Sequence, residues 1–261
     1  MRGLRTLLWL EWRRSRLWAA ALLGSLLFWV WGLNQVRFLD VGQQVATRAG
    51  LLALAAAVGG LVLCLMVGRI RSETRRGQYQ VLLLTPPSGY AHILSRFSFT
   101  LATAAIYYMV LGGLFWWTFA RAGVAFDLEA AVELVLSCPL YGVGLAVAPA
   151  LAWTMLLMVF VSTYRVSGPG WIPGTAMVLA SPFLLRWIVE GLARTAYRLP
   201  AWRLLDSIRI AIETLPQDTE AQIDMVRTTY MGVPQEPFWG MVALTVIMLL
   251  LAGRLWQEVE G

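Results

Sequence analysis

Two groups of residues have types and spacing suited to chemistry. The first runs from Arg69 to Arg96, where five arginines (Arg69, Arg71, Arg75, Arg76 and Arg96) stand against one acid, Glu73. Glu73, Arg75 and Arg76 form a compact charged patch that can dock on another surface through ion pairs, and Gly77, Gln80, Thr85, Pro86 and Ser88 follow it at short intervals. The second is a set of hydroxyls inside an apolar run, Thr100, Thr103, Tyr107 and Tyr108. One face of a helix carrying them can line a weakly polar path, or the hydroxyls can bond to neighbouring helices. Neither group is a catalytic constellation. His92 is the only histidine, and the sequence holds no His-Glu-x-x-His motif and no paired aspartates in an apolar run. It holds no lysine, so the phosphate-cradling Gly-x-x-x-x-Gly-Lys-Ser/Thr loop is absent and no P-loop ATP hydrolysis is expected of this chain. Cys64 and Cys138 lie in or beside apolar runs and suggest no disulfide framework. No cofactor and no metal site is expected.

The charged group needs an element to hold it. Ser72 to Leu84 can form a short helix, with Gly77 as its weak point. Thr85-Pro86-Pro87 stops that helix, because proline lacks the N–H and biases the preceding residue away from helix. Ser88 can then cap the next one. Long apolar runs flank the stretch. The chain is 59% apolar over 261 residues, with mean hydropathy +0.65, which no soluble domain of this length would reach. At about 20 residues per crossing, six spans are expected near 17–35, 49–69, 97–119, 137–162, 171–190 and 237–256. Pro139 and Pro149 interrupt the fourth. No span carries an ionisable residue at its centre, where one costs at least ~2.5 kcal/mol and marks an ion path. That argues against proton- or sodium-coupled transport. Arg186 and Glu190 can pair near the outer end of the fifth span.

Residues 1–16 read as a basic amphipathic helix on the inner membrane surface, with Leu4, Leu7, Leu8 and Glu11 on one face and Trp9 and Trp12 as interfacial rings. The run that follows reads as a retained first span, not a signal peptide. Arranged this way, the presumed inner pieces hold twelve arginines and four acids, net +8, and the remainder nets −2, which together give the chain's +6. Both termini are therefore expected in the cytoplasm. Arginines gathered at span ends are not a nucleic-acid footprint. Trp18, Trp171 and Trp256 at inner ends, and Trp31, Trp116, Trp117, Trp187 and Trp239 at outer ends, make an aromatic belt. Ala53, Ala57, Gly59, Gly60, Gly112, Gly113, Gly142 and Gly144 are small enough to mark helix contacts. Between spans five and six, Trp202, Leu205, Ile208, Ile212 and Leu215 recur at helical spacing, and Thr219 to Gln222 forms a capping box. Two amphipathic helices are expected there, within 191–236, on the outer face.

The connector's pattern, Glu73, Gly77, Gln80, Leu82, Leu83, Thr85, Pro86 and Ser88, resembles the coupling-helix motif of permease subunits of ABC-2-type (type V) ABC exporters. Arg96 stands where that family often has a basic residue opening the third span, and Gln80 replaces the family's usual acid. The resemblance implies an all-α membrane protein of six transmembrane helices, forming a single domain over 1–261. It implies an N-terminal interfacial helix, a coupling-helix loop at 70–88 in the cytoplasm, and extracytoplasmic helices at 191–236. It implies two copies of a separate ABC ATPase subunit that hold ATP and Mg, a second permease, identical or homologous, and a place in the cell (inner) membrane. Glu73, Arg75, Arg76, Gly77, Gln80, Thr85, Pro86 and Ser88 would couple to the ATPase, and an uncharged interior would suit a lipophilic or amphipathic substrate moved outward. A second reading is a non-transporting membrane anchor that recruits a cytosolic complex through the same helix.

Overall fold

The computed structural model describes residues 2–36, 41–69, 89–121, 132–163, 187, 202–207, 229–233 and 235–260. The connector at 70–88, with its eight candidate coupling residues, lies outside them, as do the expected fifth span apart from Trp187 and the pair Arg186 and Glu190. Five helices are long and apolar enough to cross a membrane. They are α1 (Arg2–Gln35), α2 (Val41–Gly68), α3 (Gly89–Arg121), α4 and α5 (Glu236–Glu260). We use α4 for four consecutive stretches, Glu133–Ser137, Cys138–Gly142, Val143–Val147 and Ala148–Thr163.

Each helix buries one stripe. In α1 the buried positions are Leu7, Glu11, Ser15, Ala19, Leu22, Leu26, Trp29 and Leu33, spaced three or four apart. The opposite face exposes Leu17 at 76% and Leu27 at 75%. Exposed leucine, valine and isoleucine recur on α2, α3 and α5, an apolar surface far beyond what a water-soluble chain presents. Helix α3 is the centre of the bundle and packs against all four others. Its stripe (Ile93, Phe97, Thr100, Ala104, Tyr107, Leu111) forms the core with Leu63 and Val67 of α2, Leu151, Met155 and Val159 of α4, and Leu244 and Met248 of α5.

The contacts set the helix directions. Glu11 meets Arg96 and Trp12 meets Phe99, so α1 and α3 run parallel. Tyr107 meets Ala55 and Arg48 meets Thr118, so α2 runs against α3. Gly68 lies near Met158, and Gly144 receives Phe238, so α2, α4 and α5 share one direction. The N-terminal part of α1, the two helix ends flanking the connector and the C-terminal end of α5 therefore gather at one end of the bundle. There Tyr90 seats on Gly253 and Trp256 on Gly89.

Four expectations are corrected. Residues 2–16 are not a separate surface helix. With no glycine or proline between Trp9 and Ala20, α1 continues unbroken for 34 residues, about 51 Å. The prolines of the fourth span do not interrupt it. Pro149 cannot donate to Leu145, and the helix widens just before it: the Ala148 N–H reaches the Val143 carbonyl five residues back. Glu133–Ser137 is a second wide turn, ahead of Pro139. At the two ends of the expected helices, Trp202–Ser207 (β1) and Thr229–Val233 (β2) form an antiparallel ribbon instead, with Leu204 opposite Met231 and an irregularity between Leu205 and Ser207; the rest of those helices, 208–228 with the capping box Thr219 to Gln222, lies outside the described residues. Helical spacing within one segment cannot register a partner strand more than twenty residues away. The ribbon touches the N-terminal end of α4. Finally, Trp256 is buried at 5%, not an interfacial ring, because Gly89 leaves room for its indole; Trp18, Trp31, Trp116, Trp187 and Trp239 are exposed.

Candidate functional site

The described residues that carry polar chemistry lie on α3 and its partners. Tyr107 and Tyr108 project from α3 toward α2, where Gly59 and Gly60 stand opposite. The Tyr107 hydroxyl donates to the Ala55 carbonyl and the Tyr108 hydroxyl to the Ala56 carbonyl, each at 2.9 Å. Both carbonyls already serve the helix four residues on. A side chain at that i+4 position would cover them, and here that position is glycine in both cases. A Cβ on Gly59 would come within 2.2 Å of Tyr107 Cε1, and one on Gly60 within 3.2 Å of the Tyr108 hydroxyl. The contact face of α2 is thus Ala55/Gly59 and Ala56/Gly60, two small-x-x-x-small pairs side by side. Ala53 and Ala57, expected at this contact, face outward. A Cβ on Gly113 or Gly142 would meet no neighbouring atom within 4 Å; Gly144 makes the close approach to Phe238, whose ring stacks on Tyr141 at 5.4 Å.

Thr100 donates to the Arg96 carbonyl and Thr103 to the Phe99 carbonyl, each at 2.9 Å. These two and Tyr107 are buried, Tyr107 completely. The four hydroxyls proposed as a pathway therefore bond within the protein, three of them in the core, and they do not line an open polar face. The reason is geometric: the stripe of α3 that carries Thr100, Thr103 and Tyr107 faces the neighbouring helices, while Leu94, Ile106 and Val110 take the outward face.

The ionisable residues that matter most are Glu11 and Arg96, which the sequence names separately but does not pair. Arg96 Nη2 and Nε donate to Glu11 Oε1 and Oε2 at 3.1 and 3.3 Å, a forked ion pair with both residues over nine-tenths buried. Arg69, directly after α2, donates to the Arg14 carbonyl at 3.0 Å. These contacts tie α1 to both helices that flank the connector. At the other end of the bundle, buried Arg48 donates to the Thr118 carbonyl at 3.4 Å, near the end of α3 where carbonyls lack helical partners. Its Nε has no partner among the described residues. The signal for the Glu11–Arg96 pair was present in the sequence: one acid among the first 35 residues, and one arginine set back from its span's start. Taken alone each reads as a charge near the membrane surface, and only the depth match reveals a pair.

This arrangement can fix helix geometry and present a basic connector at one end of the bundle; among the described residues no group of three or more His, Cys, Asp or Glu is placed to hold a metal. No family model, no curated protein and no solved structure matches the chain.

Proposed function

We propose that this chain is the membrane subunit of an ATP-driven exporter of the ABC-2 type. The observation that carries the reading is the connector. A charged, proline-stopped stretch of 70–88 joins two antiparallel helices, each apolar enough to span, and its end of the bundle also gathers the arginines of α1. A basic end faces the cytoplasm, which puts both termini and the connector on the side where an ATPase would be found. Because α4 and α5 run in the same direction, a return crossing between Thr163 and Glu236 completes the layout, and 171–190 is the apolar run available for it. That makes six spans in the inner membrane, with the ribbon and the rest of 191–236 outside. Two ATPase subunits, holding ATP and Mg, dock on Glu73, Arg75, Arg76 and their neighbours, and a second permease, identical or homologous, completes the assembly. ATP-driven closure then moves the helices, and a lipophilic or amphipathic substrate leaves outward.

One observation favours the second reading, a non-transporting anchor that recruits a cytosolic complex. Thr100, Thr103, Tyr107 and Tyr108 are all bonded internally, so these hydroxyls do not offer a ready polar path through the described part of the chain. The discriminating experiment isolates the complex from native membranes and reconstitutes it in vesicles. The exporter reading expects ATP hydrolysis by the complex and none by the chain alone, with Glu73→Arg or Gly77→Pro releasing the ATPase or uncoupling hydrolysis from export. Normal assembly, hydrolysis and export in both variants would reduce the connector to a simple linker and remove the main support for the reading.

A further inference from the structure

One turn of α1 holds both helices that lead into the connector. Arg69, at the exit of α2, is fastened to the Arg14 carbonyl. Arg96, in the second turn of α3, is fastened to Glu11 by two bonds. Glu11 and Arg14 lie three residues apart, about 4.5 Å along the helix axis. Between them, Trp12 makes an edge contact with Phe99 at 6.0 Å. The entrance and the exit of the stretch 70–88 are thus gripped by the same short piece of α1.

The chemistry of the grip is informative. Apolar side chains would join these helices at least as strongly, because two buried charges lose hydration that their attraction has to offset. What a forked guanidinium–carboxylate pair adds is direction: two parallel bonds fix both the rotation and the height of α3 against α1. We infer that Glu11 is a positioning residue for the connector: through Arg96 it sets how the connector leaves α2 and α3, and it makes the three helix ends move as one body when a partner pushes there. The role in coupling rests on the exporter reading above; the clamp itself does not.

The test places spin labels at Arg13 and Leu94, both exposed, in the full chain in lipid nanodiscs. The expected result is one narrow distance distribution, unchanged when the ATPase is added and cycled with ATP. Glu11→Gln broadens it, and the charge swap E11R with R96E narrows it again. Arg96→Lys, which keeps the charge but loses the fork, gives an intermediate width and guards against a Glu11→Gln protein that does not assemble. In the complex, Glu11→Gln lowers stimulated hydrolysis several-fold while ATPase binding persists. A Glu11→Gln distribution as narrow as the wild type's, or a charge swap that restores nothing, overturns the clamp. Unchanged stimulated hydrolysis in a Glu11→Gln protein with a broadened distribution overturns the coupling role. If the wild-type chain recruits no ATPase, the exporter reading fails, and the label distances in the chain alone still decide the clamp.

Discussion

Substituting Gly59 by alanine adds one methyl group where there is no room for it. The new Cβ would sit 2.2 Å from Tyr107 Cε1, 2.8 Å from Cζ and 3.0 Å from Cδ1. Carbon atoms rest about 3.5–4.0 Å apart, so the ring has to withdraw by more than an ångström. It is fully buried and cannot swing aside, so α2 and α3 have to part. Parting takes the Tyr107 and Tyr108 hydroxyls, both at 2.9 Å from their acceptors, out of hydrogen-bond range. Overpacking costs about 1–3 kcal/mol, and each interhelical hydrogen bond contributes about 0.6 kcal/mol. Alanine regains about 1 kcal/mol over glycine in a helix interior. The net loss is about 1–3 kcal/mol, a fall in melting temperature of roughly 3–10 °C for a chain of this size. Gly60→Ala makes the control. Its Cβ would meet only the terminal oxygen of half-buried Tyr108 at 3.2 Å, and the helix gain offsets the contact. Thermal unfolding in nanodiscs, followed by tryptophan fluorescence, reads both. On a Tyr107→Ala background, Gly59→Ala should cost less than about 0.5 kcal/mol, because the clash has gone. A Gly59→Ala protein that melts at or above the wild-type temperature would refute the seating of tandem tyrosines on tandem glycines.

Three further outcomes are expected. Arg96→Met leaves Glu11 as a buried carboxylate without its cation and should cost about 3–5 kcal/mol in mixed-micelle unfolding, mostly recovered when Glu11→Leu is added; Arg48→Met, which removes one 3.4 Å bond and a buried Nε without a partner among the described residues, should stay within about 1 kcal/mol. Gly253→Ala brings a Cβ against the Tyr90 ring and should push α3 and α5 apart, lowering the melting temperature read in the same nanodisc assay. In cells, an impermeant thiol reagent should label a cysteine placed at Gln217 and spare one at Ser72; labelling at Ser72 would reverse the orientation.

Much of the helix layout was legible because lipid exposure needs only length and apolarity. Four expected spans, near 49–69, 97–119, 137–162 and 237–256, have counterparts at Thr47–Gly68, Gly89–Thr118, Val135–Ser162 and Pro237–Gln257. The first and third spans begin earlier than expected, at Leu7 and Gly89, for one shared reason. Glu11 reads from sequence as part of a surface helix and Arg96 as a charge at the mouth of the third span, whereas together they form a pair that the bundle buries. The tyrosine site shows the same limit. Gly59 and Gly60 were recognisable as contact residues, and Tyr107 and Tyr108 as hydroxyls needing partners, but nothing local says that one pair receives the other. The ribbon was illegible for a third reason: Trp202–Ser207 takes its conformation from Thr229–Val233, a partner that spacing within one segment does not reveal.

The proposed contact between the connector 70–88 and an ATPase is tested most directly by a photo-crosslinking amino acid placed at Arg76 in living cells. Irradiation, purification and mass spectrometry should give a covalent adduct with a nucleotide-binding subunit whose purified complex hydrolyses ATP. The adduct should be lost in the Glu73→Arg background, while Glu11–Arg96 and the rest of the bundle remain intact. Adducts with lipid alone, or with a cytosolic protein that binds no nucleotide, would contradict the account.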